Sequence, residues 1–295
     1  MAHPLLDARA DAGSEPLGPP VSPAAHDREL ALAAWLREQG RVLVGYSGGV
    51  DSAYLGCVAV RTLGGGAVLA VIGRSASYPD AQWRTARDVA DRIGLPVLEV
   101  ETGELRDPRY VANPSDRCYF CKSELWSRLA PIGAARHMTV VDGTNADDLT
   151  DWRPGARAAT EHGVRSPLAE LGFTKAEIRA LSARLGLPTW SQPSAPCLSS
   201  RIPYGVAVTT ARLAAVEAAE AAVRRIGVQG DLRVRHHGTV ARVELAQPEL
   251  DEWLAPERRR ALADAVRSAG FERVVLDLRG FRSGSLNVLG GVVGG

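Results

Sequence analysis

Apolar positions in this chain follow two alternating rhythms from residue 27 onward. Short runs of aliphatic residues predict strands over 42–44, 67–72, 96–100 and 138–141, and helical periodicity predicts helices over 53–60, 80–93 and 122–135. A preceding helix begins near Asp27, presents Leu30, Ala33, Ala34 and Leu36, and stops at Gly40. A later one over 175–185 carries its cap at Thr174 and ends before Gly186. Such alternation specifies an α/β fold, a parallel sheet with helices on both faces, and ligands gather at the carboxyl ends of its strands. The segments 47–52, 73–78 and 142–148 then share one rim.

The rhythm breaks at residue 188. From there to 205 the chain is rich in Pro and Ser and reads as a long functional connection. A second block has a helix over 210–226, strands over 232–236 and 240–245, a helix over 256–268 and a strand over 273–278, which makes a smaller C-terminal α/β domain. Residues 1–26, rich in Ala, Pro and Gly without periodicity, read as a disordered tail, and the Gly-rich end after Ser283 as a fraying one. The expected organisation is a tail over 1–26, a domain over 27–187, a connection over 188–205, a domain over 206–285 and a flexible tail over 286–295.

Composition narrows the function classes. With 35 basic and 34 acidic residues the net charge is +1, which leaves no general nucleic-acid footprint. No apolar run is long enough to span a bilayer, and no basic segment followed by an apolar core opens the chain, so a cytoplasmic protein is expected. Four cysteines are too few and too scattered for a disulfide scaffold. Cys57 sits among Leu55, Val58 and Val60 and reads as a buried structural thiol.

The run SGGVDS, Ser47 to Ser52, follows the first strand and opens a helix. Gly48 and Gly49 let the backbone approach a phosphate, Ser47 and Ser52 add hydroxyls, and the helix points unpaired N–H groups at the same spot. Asp51 repels phosphate unless a cation lies between them, so it implies a nucleotide bound with Mg2+. The run lacks the lysine of a Walker A loop and the spacing of a dinucleotide fingerprint. It resembles the PP-loop of the ATP pyrophosphatases, which form an adenylate and release pyrophosphate.

Cys118 and Cys121, within NPSDRCYFCK, can ligate one metal centre, although a redox dithiol uses the same spacing. PCLSSRIPYG adds Cys197 beside Arg201, whose cation favours a thiolate; spacing leaves Cys197 open as nucleophile or cluster ligand. His236 and His237 read as strand-end residues, and Trp83 and Trp126 as core.

The PP-loop, GTNADD, PCLSSRIPYG, RVRHHG with ARVE, and LDLRGFRSGSLN together resemble the LarE family of ATP-dependent sulfur transferases over about residues 28 to 290. That resemblance implies adenylation of a carboxylate of pyridinium-3,5-biscarboxylic acid mononucleotide and its conversion to a thiocarboxylate, a step towards the nickel-pincer nucleotide of lactate racemase. Three cysteines match the cluster-bearing version, in which Cys118, Cys121 and Cys197 hold a 4Fe-4S cluster that carries the expendable sulfide; in the sacrificial version Cys197 gives up its own sulfur. Ser47, Gly48, Gly49, Asp51 and Ser52 would manage pyrophosphate. Gly73, Arg74 and Ser75 lie where the superfamily cradles adenine, and Gly143 and Thr144 lie near the adenylate.

A mononucleotide substrate also needs a phosphate clamp, for which Arg233 and Arg235, alternating on one strand, are the first candidates, joined by Ser200, Arg201 and Arg282 with Ser283. Glu220 or Glu244 would serve as metal ligand or base, and Asp147 or Asp148 would hold a cation or form an acidic turn. The resemblance further implies a homo-oligomer, and handover to other nickel-pincer proteins is a possible sequel. A transfer-RNA thiolation enzyme is the main rival, disfavoured by the charge balance and by PCLSSRIPYG.

Overall fold

The computed structural model describes residues 18–150, 154–193 and 196–282. In chain order the helices are α1 (Pro23–Gln39), α2 (Val50–Leu63), α3 (Asp80–Ile93), α4 (Pro108–Val111), α5 (Arg117–Ala135), α6 (Pro154–Glu161), α7 (Pro167–Glu170), α8 (Lys175–Arg184), α9 (Thr210–Arg225), α10 (Leu250–Leu254) and α11 (Pro256–Arg267). The strands are β1 (Val42–Gly45), β2 (Val68–Arg74), β3 (Val97–Glu101), β4 (Thr139–Val141), β5 (Leu232–His237), β6 (Val240–Leu245) and β7 (Arg273–Leu276). The described residues fall into two compact units, one of residues 18–75, 80–102, 118–150 and 154–193 and the other of residues 76–79, 103–117 and 196–282.

The first unit is built on a parallel sheet of order β3-β2-β1-β4. Leu43 of β1 lies opposite Leu69 of β2 and Val140 of β4. Leu43, Val71, Trp126 and Leu129 fill one apolar cluster with Ala158 of α6. The chain runs outward from β1 to β2 and β3, then returns to place β4 on the other side of β1. Strand order therefore reverses between β1 and β4, and the crevice beyond their carboxyl ends is where an open α/β sheet takes its ligand.

The first helix differs from the sequence expectation. It begins at Pro23, capped by Ser22, whose hydroxyl accepts the Ala25 amide at 3.1 Å. Residues 23–26 are thus helical, not part of a tail; residues 1–17 and the chain after 282 lie outside the described residues. Pro at N1 loses no hydrogen bond and presets φ, which is why Ser22-Pro23 starts the helix ahead of Asp27. Its inner face also differs: Leu30 is exposed, while Glu29 is fully buried, bonded by Tyr54 at 3.1 Å and paired with Arg184. A buried carboxylate is tolerable only with such partners.

The second unit carries the sheet β5-β6-β7, with β5 and β6 antiparallel and β6 and β7 parallel. Its core gathers Val223, Val234, Val243, Trp253, Leu262 and Val266. Ser77 donates to the buried Glu104 at 2.9 Å, and Leu198 N donates to Ser77 O at 2.8 Å, so residues distant in sequence are stitched into this unit. Among the described residues no helix is long and apolar enough to cross a membrane.

Candidate functional site

β1 delivers the chain to the SGGVDS turn, and α2 leaves it. Gly49 is the N-cap of α2 and has no side chain to bond the first turn, so the amides there are left to a ligand. Gly48 has φ +69, and a Cβ on it would stand 2.4 Å from the Ala86 Cβ of α3. Only glycine supplies both that backbone and that approach. Ser52 is buried and shapes the turn from within: its hydroxyl donates to Gly49 O at 3.2 Å and accepts the Ser47 amide at 3.2 Å. Gln82 of α3 clamps the turn by donating to Ser47 O at 3.0 Å.

The loop after β4 closes the other side. A Cβ on Gly143 would lie 2.9 Å from Ser52 N, so the absence of a side chain lets this loop touch the start of α2. Asp142 fixes the loop by accepting the Thr144 amide at 3.1 Å, the Thr144 hydroxyl at 2.9 Å and the Ser166 hydroxyl at 2.7 Å. Asn145 donates to Asp51 at 3.4 Å. Asp147 accepts the Lys175 amide at 2.8 Å and Asp148 accepts the Asn145 amide at 3.2 Å, so both carboxylates tie down backbone. Lys175, which the sequence marked only as a helix start, places Nζ 2.5 Å from Asp51 Oδ2.

At the carboxyl end of β2 lie Gly73, Arg74 and Ser75, the expected adenine cradle. The Cα of Gly73 faces α5, where a Cβ would strike Leu125 at 2.7 Å, so this glycine serves packing. Arg74 lies over the Trp83 ring at 4.6 Å and pairs with Asp80 at 3.2 Å, and Trp83 is half-buried under that cation, not in the core. Ser75 is half-buried beside them in sequence. Trp126, by contrast, is 1 % exposed, as expected for core.

Cys118 and Cys121 stand in the first turns of α5, exposed and half-buried respectively, three residues apart and hence on one face. Cys197, half-buried, belongs to the second unit and caps a short turn over Leu198–Arg201. Among the described residues no three His, Cys, Asp or Glu side chains are gathered as a metal site. Cys57 is buried, and burial raises its thiol pKa.

In the second unit the arginines are tied to protein acceptors. Arg201 forks onto Glu220 at 2.9 and 3.1 Å, and its Nη1 donates to the carbonyls of Pro196 at 2.6 Å and Cys197 at 3.1 Å and to the Ser200 hydroxyl at 3.0 Å. Its cation thus braces the cysteine turn through the Cys197 carbonyl, and its contacts are with protein acceptors. Glu220, offered as metal ligand or base, also accepts the Val234 amide at 3.0 Å and so anchors β5 as well. Arg235 donates to Glu244 at 2.8 Å and to Ser200 O at 2.9 Å, while Arg242 takes the other oxygen of the buried Glu244 at 2.8 Å.

Arg233 is also held by protein: its Nη1 donates to Leu232 O at 2.7 Å. It lies over Phe281 at 4.7 Å, and burial, then the neighbouring Arg201 cation, push its guanidinium down to about 10. A buried cation so placed gains from an anion. Arg282 is exposed, and Ser283 lies outside the described residues. Burial, followed by nearby arginine cations, lowers the pKa of His236 and of His237.

The NAD synthase family matches residues 28–110, the stretch holding the phosphate turn. Along most of its length the chain is 36% identical to the pyridinium-3,5-bisthiocarboxylic acid mononucleotide synthase of Lactiplantibacillus plantarum, over 88% of this chain and 94% of that protein. The chain belongs to the LarE family. An uncharacterized Synechocystis protein is 44% identical over 87% of this chain and 95% of its own, and one from Methanocaldococcus jannaschii is 25% identical over 82% and 91%. This LarE-family protein is an ATP-dependent enzyme with the PP-loop fold. Its phosphate turn fits ATP, and Asp51, 20% exposed at the edge of that turn, fits the single carboxylate that Mg2+ commonly takes alongside substrate phosphates.

Proposed function

We propose that this enzyme adenylates a carboxylate of pyridinium-3,5-biscarboxylic acid mononucleotide and converts it to a thiocarboxylate. The observation that carries the reading is the 36% identity, across most of both chains, to a synthase named for the bisthiocarboxylic product. In the first unit the α2 amides and the Ser47–Ser52 turn bind the pyrophosphate that leaves when the substrate carboxylate attacks the α-phosphate. Asp51 would hold a magnesium ion that offsets its charge beside the phosphates. In the second unit Arg233 supplies a buried cation for the substrate phosphate, consistent with its lowered pKa.

The family resemblance assigns Cys118, Cys121 and Cys197 as ligands of a 4Fe-4S cluster, in which three thiolates would leave one iron unclaimed by protein. A cluster bound there would supply an expendable sulfide. The protein's own contribution is to keep the thiols accessible, Cys118 and Cys121 at a helix start and Cys197 on a turn held by Arg201. The second reading is sacrificial loss of sulfur from Cys197, which needs only that one thiol, half-buried on its turn.

Anaerobic purification with iron and sulfide analysis, followed by turnover with ATP and mass measurement of the protein, separates the two. Iron with unchanged Cys197 after several turnovers supports the cluster. An iron-free protein whose Cys197 loses one sulfur per product supports the sacrificial route. Absence of thiocarboxylate in both cases refutes the proposed function.

A further inference from the structure

The first unit places a cation on Asp51 that the phosphate turn by itself does not require. Lys175 Nζ stands 2.5 Å from Asp51 Oδ2, with the two side chains 35% and 20% exposed. The backbone beneath Lys175 is fixed twice over. Thr174 and Glu177 form a reciprocal capping box at the start of α8, and Asp147 accepts the Lys175 amide at 2.8 Å. The ammonium therefore moves on its own four-carbon stem from an anchored root. Asp51 is positioned in turn by Asn145 and by the first turn of α2.

An ammonium at contact distance and a magnesium ion repel one another strongly if both claim the same carboxylate oxygen. Magnesium arriving with ATP must therefore displace Lys175 from Oδ2. The incoming phosphates lie at the neighbouring α2 amides and provide the displaced ammonium with new anionic partners. We propose that Lys175 is the exchangeable counter-ion of the PP-loop: it neutralises Asp51 in the nucleotide-free protein, yields that carboxylate to magnesium when ATP binds, and moves its charge onto the phosphates. The inference rests on the reading that ATP binds at this turn with magnesium on Asp51.

Calorimetric titration of the full-length protein with ATP, without the carboxylate substrate and across a magnesium series, tests the exchange. Lys175→Met weakens ATP binding at saturating magnesium about tenfold, the scale of one charge-assisted hydrogen bond. It also shifts the magnesium midpoint to lower concentration, because no ammonium competes for Asp51. Lys175→Arg keeps ATP affinity within about threefold and raises the midpoint, since a guanidinium fork grips a carboxylate more firmly. Circular dichroism reports whether each variant folds, and Lys175→Arg decides the matter if Lys175→Met does not. Wild-type affinity and midpoint in Lys175→Met would overturn the proposal, as would an unmoved midpoint in the Arg variant. Wild-type protein that binds no ATP at any magnesium concentration would refute the nucleotide reading instead.

Discussion

Arg201→Ala removes the brace beneath Cys197. Arg201 is 4% and Glu220 18% exposed at the side chain, and the guanidinium makes two bonds to that carboxylate and three to acceptors on the cysteine turn. Removing one member of a buried ion pair costs about 3–5 kcal/mol, because the other is left charged and unpaired. Glu220 also holds the Val234 amide, so the loss propagates into β5. The second unit should then open about 10²–10⁴ times more often, since each 1.4 kcal/mol is a factor of ten.

Hydrogen exchange at the β5 amides, read peptide by peptide, measures that opening without assuming that the two units unfold together. Alkylation of Cys197 should accelerate in parallel. The paired change Arg201→Met with Glu220→Gln should recover part of the protection, because no unpaired charge remains and the amide oxygen can still accept the Val234 N–H. Exchange in β5 within about threefold of wild type in Arg201→Ala, a difference under 1 kcal/mol, would refute the reasoning.

Further outcomes follow from other residues. Gly48→Ala and Gly143→Ala force Cβ atoms to 2.4 Å from Ala86 and 2.9 Å from Ser52 N, and should abolish ATP binding measured by calorimetry; Gly49→Ala, which meets only Ser47 Oγ at 3.5 Å, should fold normally. Thr174→Ala removes the capping box of α8 and should lower stability by about 1 kcal/mol in urea titration. His236 is 8% exposed, and burial holds its pKa below the ordinary value, so the folded form favours neutral imidazole. Its contribution is complete above about pH 6.5 and is lost as pH falls through that value towards the lower folded one. His236→Leu should therefore flatten the acid-side loss of β5 exchange protection below about pH 6.5; an unchanged slope would contradict the assignment.

Local signals carried most of the fold. The helix over Asp80–Ile93 and the strand over Val240–Leu245 have the bounds that periodicity indicates, because each presents an uninterrupted apolar stripe. Short helices such as Pro108–Val111 and Pro167–Glu170 are less legible, being about one turn long with too few positions to show a period. Glu29 was hidden for a different reason: its burial depends on Arg184, 155 residues away. The phosphate turn was legible because its glycines and serines are contiguous. Lys175 was not, since it reaches Asp51 across 124 residues and looks locally like any helix start. Likewise, alternation on β5 put Arg233 and Arg235 on one face, but their different roles depend on Phe281 and on Glu244 of the paired strand.

The central claim is that ATP activation at the PP-loop serves sulfur transfer to a carboxylate. Its most direct test is mass spectrometry of the small-molecule products after incubating the anaerobically prepared protein with magnesium, ATP and pyridinium-3,5-biscarboxylic acid mononucleotide. The account predicts AMP and pyrophosphate formed together with a substrate in which sulfur has replaced a carboxylate oxygen, whereas Cys197→Ala stops at the adenylate, releasing pyrophosphate but forming no thiocarboxylate. AMP released with the carboxylates unchanged, or sulfur delivered to transfer RNA in preference to the mononucleotide, would contradict it.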